Sequence, residues 1–135
     1  VPQTNQILTK AETKLFNALT NVINTQLYAI NLKTRLKDVN LTTIHENNND
    51  YSLLAMHLDF LLIEMKTLNP VLAIELDDST HNSPEATFKD NKKNDFLKLN
   101  KIPLLRIRCS NGYDFKELRN QIYTTSGIRM MYYRQ

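Results

Sequence analysis

The sequence predicts an α/β domain, a mixed four-stranded sheet with an αβββαβ core flanked by helices. Three observations predict it. A stretch of helical period opens the chain, three strand-like runs follow, and a lysine-bearing helical stretch then leads to one more short strand and a closing helix. The strand–helix–strand ending implies a right-handed parallel crossover, and the two middle strands stand close enough for an antiparallel hairpin. At 135 residues the chain is expected to form one domain, 1–135, with 1–7 as an arm or linker. Because it opens on Val1, it reads as a piece of a longer protein with other domains.

Each element has its own signal. Thr9-Lys10-Ala11-Glu12 is a capping pattern, and Leu8, Leu15, Phe16, Leu19, Val22 and Ile23 repeat at helical spacing behind it. Leu27 to Lys33 reads as a strand, Leu36 to Ile44 as a short irregular or helical piece, and His45 to Asp50 as an asparagine-rich loop. Met56 to Glu64 and Val71 to Leu76 are strands on either side of a turn, Met65 to Pro70. Phe88, Phe96, Leu97 and Leu99 mark a helix over Glu85 to Leu99. Pro103 to Arg108 is a short strand with Arg106 and Arg108 on one face and Leu105 and Ile107 on the other. Asp114 caps a helix that runs to Thr124 with Phe115, Leu118 and Ile122 on its apolar face. The tail from Gly127 to Gln135 reads as an added strand or a contact surface.

Two acids stand where acids are costly. Glu75 interrupts the apolar run Val71 to Leu76, and Asp59 interrupts Met56 to Glu64. A carboxylate in a buried strand carries a large desolvation cost unless it is paired or bound to a metal. A hairpin that sets Glu64 opposite Pro70 also sets Asp59 opposite Glu75, with Cβ atoms about 5 Å apart. Asp77 shares the face of Glu75. Three acids on one face repel each other unless a cation sits among them, and an all-oxygen donor set favours Mg²⁺ or Mn²⁺ over zinc. Glu12 has two readings. It either reaches back to cap the first helix or points with the apolar face toward these acids. Lysine is the expected counter-charge, and spacing leaves two choices: Lys92 lies four residues from both Phe88 and Phe96, and Lys93 four before Leu97.

Composition narrows the classes. The net charge of +3 suits a nucleic-acid partner without requiring one. One cysteine, Cys109, rules out an internal disulfide and suggests a reducing, cytoplasmic setting. No apolar run is long enough to cross a membrane, so no membrane partner is expected. Only Gly112 and Gly127 are present, which removes glycine-rich phosphate loops and the nucleotide-binding folds built on them.

The element order, with Asp59 and then Glu75-Leu76-Asp77, resembles the PD-(D/E)xK nuclease superfamily and its restriction-endonuclease-like fold. Within it the chain resembles the DUF2726 family over Ile7 to about Ile122. The pieces that carry the resemblance are Leu8-Thr9-Lys10-Ala11-Glu12, Asp59-Phe60, Ile74-Glu75-Leu76-Asp77-Asp78-Ser79-Thr80-His81 and Pro103-Leu104-Leu105-Arg106. Two departures stand out. Asp77 occupies the place of the superfamily lysine, and Lys101 stands where the family often has glycine. In related families a basic residue on the next helix replaces that lysine. Asp90, Lys93, Leu97 and Arg106 stand at the corresponding spacings, which selects Lys93.

The resemblance implies metal-dependent hydrolysis of nucleic-acid phosphodiesters, with DNA as the substrate. Asp59 and Glu75, with the Leu76 carbonyl, would hold Mg²⁺ (or Mn²⁺), and Glu12 would complete the shell directly or through water. Lys93 would orient the attacking water or stabilise the pentavalent state. Asp77 would be a further ligand or stand behind the ligands with Asp78 and His81. Lys89, Lys92, Arg106 and Arg108 would contact backbone phosphates. The alternatives on the same fold are an inactive nucleic-acid-binding module and a protein-interaction module whose acids are structural.

Overall fold

The computed structural model describes residues 6–39, 51–78 and 83–129. Within them lie four α-helices and one four-stranded sheet. In chain order they are α1 (Lys10–Val22), β1 (Tyr28–Arg35), a single 3₁₀ turn (Leu36–Asp38), α2 (Tyr51–Ala55), β2 (His57–Glu64), β3 (Pro70–Asp77), α3 (Pro84–Leu99), β4 (Leu104–Arg108) and α4 (Phe115–Ser126). The sheet order is β1-β2-β3-β4. The first three strands are antiparallel neighbours and β4 joins β3 in parallel. A mixed α/β fold with a parallel crossover through α3 is thus present, as the element order predicts. The short helix α2 was not foreseen.

Both faces of the sheet are covered, so β3 is buried without interruption from Leu72 to Glu75. On one face Leu15, Leu19 and Val22 of α1 and Leu118 and Ile122 of α4 pack on Phe60, Leu62, Leu72, Ile74, Leu105 and Ile107. On the other, Phe96 and Leu97 of α3 and Leu53 of α2 pack with Leu36, Leu61, Ala73 and Ile102. The alternation of Phe60/Leu62 against Leu61, and of Leu72/Ile74 against Ala73, serves both cores at once.

The caps follow the sequence. Thr9 and Glu12 exchange hydrogen bonds at the start of α1, Ser83 accepts from the Ala86 N–H, and Asp114 accepts from the Lys116 and Glu117 N–H groups. Gly127 ends α4 in the left-handed conformation, φ 75°. Lys101, after α3, is also left-handed at φ 58°. That is the backbone glycine adopts without steric cost, which accounts for the position at which this chain departs from the resembled family.

Two expectations need correction. The hairpin has Phe60 opposite Ile74, Leu61 opposite Ala73 and Leu62 opposite Leu72, the register that leads to Asp59 and Glu75. Pro70, however, lies opposite Ile63 rather than Glu64, because the register shifts between Leu62 and Ile63. Counting back from the turn could not foresee this extra residue. Phe88 is also not an inward residue. It is 55% exposed and Leu99 is 69% exposed, so the apolar face of α3 is the shorter one of Phe96 and Leu97. The tail from 130 and the loop expected over 45–50 lie outside the described residues.

Candidate active site

The paired register of β2 and β3 ends at Phe60 and Ile74, and beyond it two acidic side chains take over the bonding. The Asp59 N–H donates to Glu75 Oε2 at 2.7 Å, and the Leu76 N–H donates to Asp59 Oδ2 at 2.8 Å. Each carboxylate thus satisfies a main-chain amide of the opposite strand. Among the described residues nothing donates to Asp59 Oδ1. Asp59 is half-buried and Glu75 is buried, 5% exposed.

Lys93 supplies the compensation that burial of Glu75 requires. Its ammonium lies 2.6 Å from Glu75 Oε1 and donates to the His57 carbonyl at 3.2 Å. Both side chains are largely out of water, at 13% and 7% exposure, so this pair is screened far less than a surface ion pair. Lys93 reaches the sheet because it shares a helix face with buried Leu97. Lys92 lies over the exposed Phe88 ring instead, 5.0 Å from its centroid. The choice that spacing left open therefore falls on Lys93 for contact with Glu75. Its neighbour stays on the outer face.

Glu12 fulfils the capping reading and is buried as well, and among the described residues it does not meet Asp59 and Glu75 in a three-acid cluster. Oε1 accepts the Thr9 N–H at 2.9 Å, closing the capping box, yet the residue is buried, 7% exposed. Its Oε2 lies 2.6 Å from the Lys33 ammonium. Lys33 was not foreseen. A lysine at the end of a strand-like run carries no signal of its own, and what brings it here is a left-handed backbone, φ 51°, inside β1.

The charges act on each other. Burial pushes the Asp59 carboxyl above its usual pKa, and the negative charge of Glu75 pushes it further. The Leu76 N–H and the Lys33 ammonium act against this, whereas Glu12 adds to it. For Glu12, burial acts upward, but the Lys33 ammonium and the Thr9 amide outweigh it and hold the carboxyl below its usual value. Glu12, Lys33, Asp59, Glu75 and Lys93 thus form one electrostatic group. Among the described residues no three His, Cys, Asp or Glu side chains meet as a ready metal cage.

The other singled-out residues are distributed as follows. Asp59 opens onto a cleft of about 280 Å³, bordered by His57, Ala86, Lys89, Asp90 and Lys93. Arg106 is half-buried and turned to α3, where it donates to Asn94 Oδ1 at 2.9 Å and stands 3.9 Å from Asp90. Arg108 and Asp77 are exposed register partners at the ends of β4 and β3. Asp78 is exposed. His81 lies outside the described residues.

Among the described residues no helix is long and apolar enough to cross a membrane. No curated protein and no solved structure matches the chain at a significant level. One family model does match, that of "Protein of unknown function (DUF2726)", over residues 4–125. That span is most of the chain and contains every element of the fold up to the last turn of α4, so the chain belongs to the DUF2726 family.

Proposed function

We propose that this domain is a metal-dependent nuclease of the PD-(D/E)xK superfamily, with the restriction-endonuclease-like fold, and that it hydrolyses phosphodiesters with DNA as the expected substrate. The observation that carries this is the meeting of Asp59, Glu75 and Lys93 at the parting ends of β2 and β3. A buried acid pair serving only stability would be easily replaced by apolar residues, which pack in the same place at no desolvation cost.

The donor set fits a hard divalent cation. Its atoms are carboxylate oxygens, Asp59 Oδ1 is without a protein donor among the described residues, and Asp59 sits where negative charge is in excess. Asp59 and Glu75, with Glu12 beside them, would hold Mg²⁺ or Mn²⁺, which supplies a bound water of lowered pKa and positive charge for the phosphate. Lys93 supplies the fixed positive charge that Asp77 does not. Held by the His57 carbonyl, its ammonium is in place for charge that grows on the phosphate oxygens. Lys89 at the cleft, Lys92 on the outer face of α3 and Arg108 at the end of β4 would take backbone phosphates. Arg106 is committed to Asn94, and its part is to fix α3 against β4.

A second reading is a nucleic-acid-binding module that does not cleave. It is favoured by the direct seat of Lys93 on Glu75 and by the lack of a three-acid cage among the described residues. The deciding experiment is cleavage of labelled single- and double-stranded DNA and RNA in Mg²⁺ or Mn²⁺, beside Glu75→Ala. Cleavage lost in the variant supports the nuclease. Salt-dependent binding without cleavage supports the binding module. Neither binding nor cleavage leaves a protein-interaction role for the fold.

A further inference from the structure

Three described non-glycine residues have positive φ. Leu68 and Lys101 lie in turns, while Lys33 lies inside a strand. A left-handed lysine in a strand is disfavoured by its own Cβ, so surrounding contacts must hold it there. The β1–β2 pairing records the same disturbance. Leu32 pairs with Phe60 and Thr34 with Leu58, but the pairing of Lys33 with Asp59 between them is missing. The interruption thus falls opposite a candidate ion ligand. The side chain released from the ladder ends 2.6 Å from buried Glu12 Oε2.

We propose that Lys33 is a built-in counter-cation of the site, holding Glu12 in the ion-free domain and competing with a divalent cation for the same group of acids. This rests on the reading of Asp59 and Glu75 as the ion-holding pair. Lys33 and Lys93 each neutralise one glutamate, and among the described residues no lysine forms an ion pair with Asp59. Without an ion, two of the three carboxylates are thus neutralised and one negative charge is left over at Asp59. A cation held by these acids would compete with both ammoniums, and Lys33 is the one to which the proposed reaction gives no other part. Lys33 is a positioning residue in this scheme, acting through Glu12 rather than on the phosphate.

The test is calorimetric titration of the whole domain with Mn²⁺, comparing wild type with Lys33→Met, Lys33→Arg and Lys33→Gly. Removing the unit charge that competes for these acids should, in a medium of intermediate dielectric, tighten binding about tenfold. Lys33→Met should show this gain and Lys33→Arg should stay near wild type. Lys33→Gly suits φ 51°, so it provides a folded charge-free variant if Lys33→Met does not fold. Equal affinities in all four proteins, or no Mn²⁺ binding by any, overturn the proposal, as does a loss of thermal stability in the charge-free variants with no change in affinity. Cleavage by wild type, measured alongside, keeps the two readings apart. Unchanged affinities with cleavage remove the role of Lys33 alone, and tighter binding without any cleavage removes the nuclease alone.

Discussion

At the scale of single residues, the site is defined by what each charge does to the next. Lys93 carries two burdens, the neutrality of buried Glu75 and, in the proposed reaction, the stabilisation of phosphate charge. Lys93→Ala is therefore expected to lower cleavage by about 10²–10³. The same change is expected to cost roughly 3–5 kcal/mol of stability in denaturant unfolding, since it strands a buried carboxylate. Unchanged unfolding would show that Glu75 is hydrated rather than buried. Asp59 is the opposite case. Its carboxyl is raised by burial and by Glu75, so its ionised form opposes folding above the raised pKa, and that cost disappears as pH falls toward the usual carboxylate range. Asp59→Asn, which can still accept from Leu76, should raise the ion-free Tm near neutral pH while abolishing cleavage. A lower Tm at neutral pH would contradict the excess of negative charge. Asp59 and Glu75 were legible in sequence because acids are conspicuous in apolar strands. Lys33 was not, since backbone conformation leaves no mark in a residue name.

At the scale of elements, α1 illustrates how one acid can serve two ends. Glu12 closes the capping box with one oxygen and binds Lys33 with the other, so capping does not exclude burial and a second partner. Its folded pKa is depressed. The stability it contributes is present above the usual carboxylate value and is lost as pH falls through the lower folded value. Comparing wild type with Glu12→Gln, which keeps the capping amide oxygen, the stability gap should be widest near neutral pH and close in acid. A gap that does not change with pH would mean that packing, not charge, is what Glu12 contributes. In α3 the periodicity of apolar residues misled by two members, Phe88 and Leu99. Phe88 sits at helical spacing from Phe96 yet is exposed, and pattern alone does not give the length of a helix that its neighbours cover. The turn after α3 offers a separate check. Lys101→Gly should raise stability by about 0.5–1 kcal/mol, because the left-handed backbone at φ 58° then costs nothing sterically. A loss would mean that the lysine stem packs in a way that offsets the strain.

At the scale of the whole molecule, the sheet joins two cores, and the acids stand where its central strands part. Element order and the pairing of β2 with β3 were readable because period-2 and period-3.6 patterns differ sharply along this chain. The shift opposite Pro70 was not readable, since a bulge changes no hydrophobic pattern until residues are counted from both ends. The arrangement also explains why site residues come from far apart in sequence. α1 brings Glu12 from one layer, α3 brings Lys93 from the other, and the sheet end holds Asp59 and Glu75 between them.

The bonds that the Glu75 and Asp59 carboxylates accept across the strands make two amides into natural reporters of the site. The Asp59 and Leu76 N–H groups have carboxylates as acceptors, so their ¹⁵N and ¹H resonances register any change in the charge of those oxygens directly. Titration with Mg²⁺ should move these two resonances first and furthest, with no substrate and no cleavage required. In Glu75→Ala the Asp59 amide should lose its protection from solvent exchange while the Leu61 and Leu62 amides keep theirs. Equal loss across β2 would mean that the acidic end and the body of the sheet open as one unit. Local loss would mean that the end of the sheet opens and closes alone, and that the Glu75 carboxylate is its clasp.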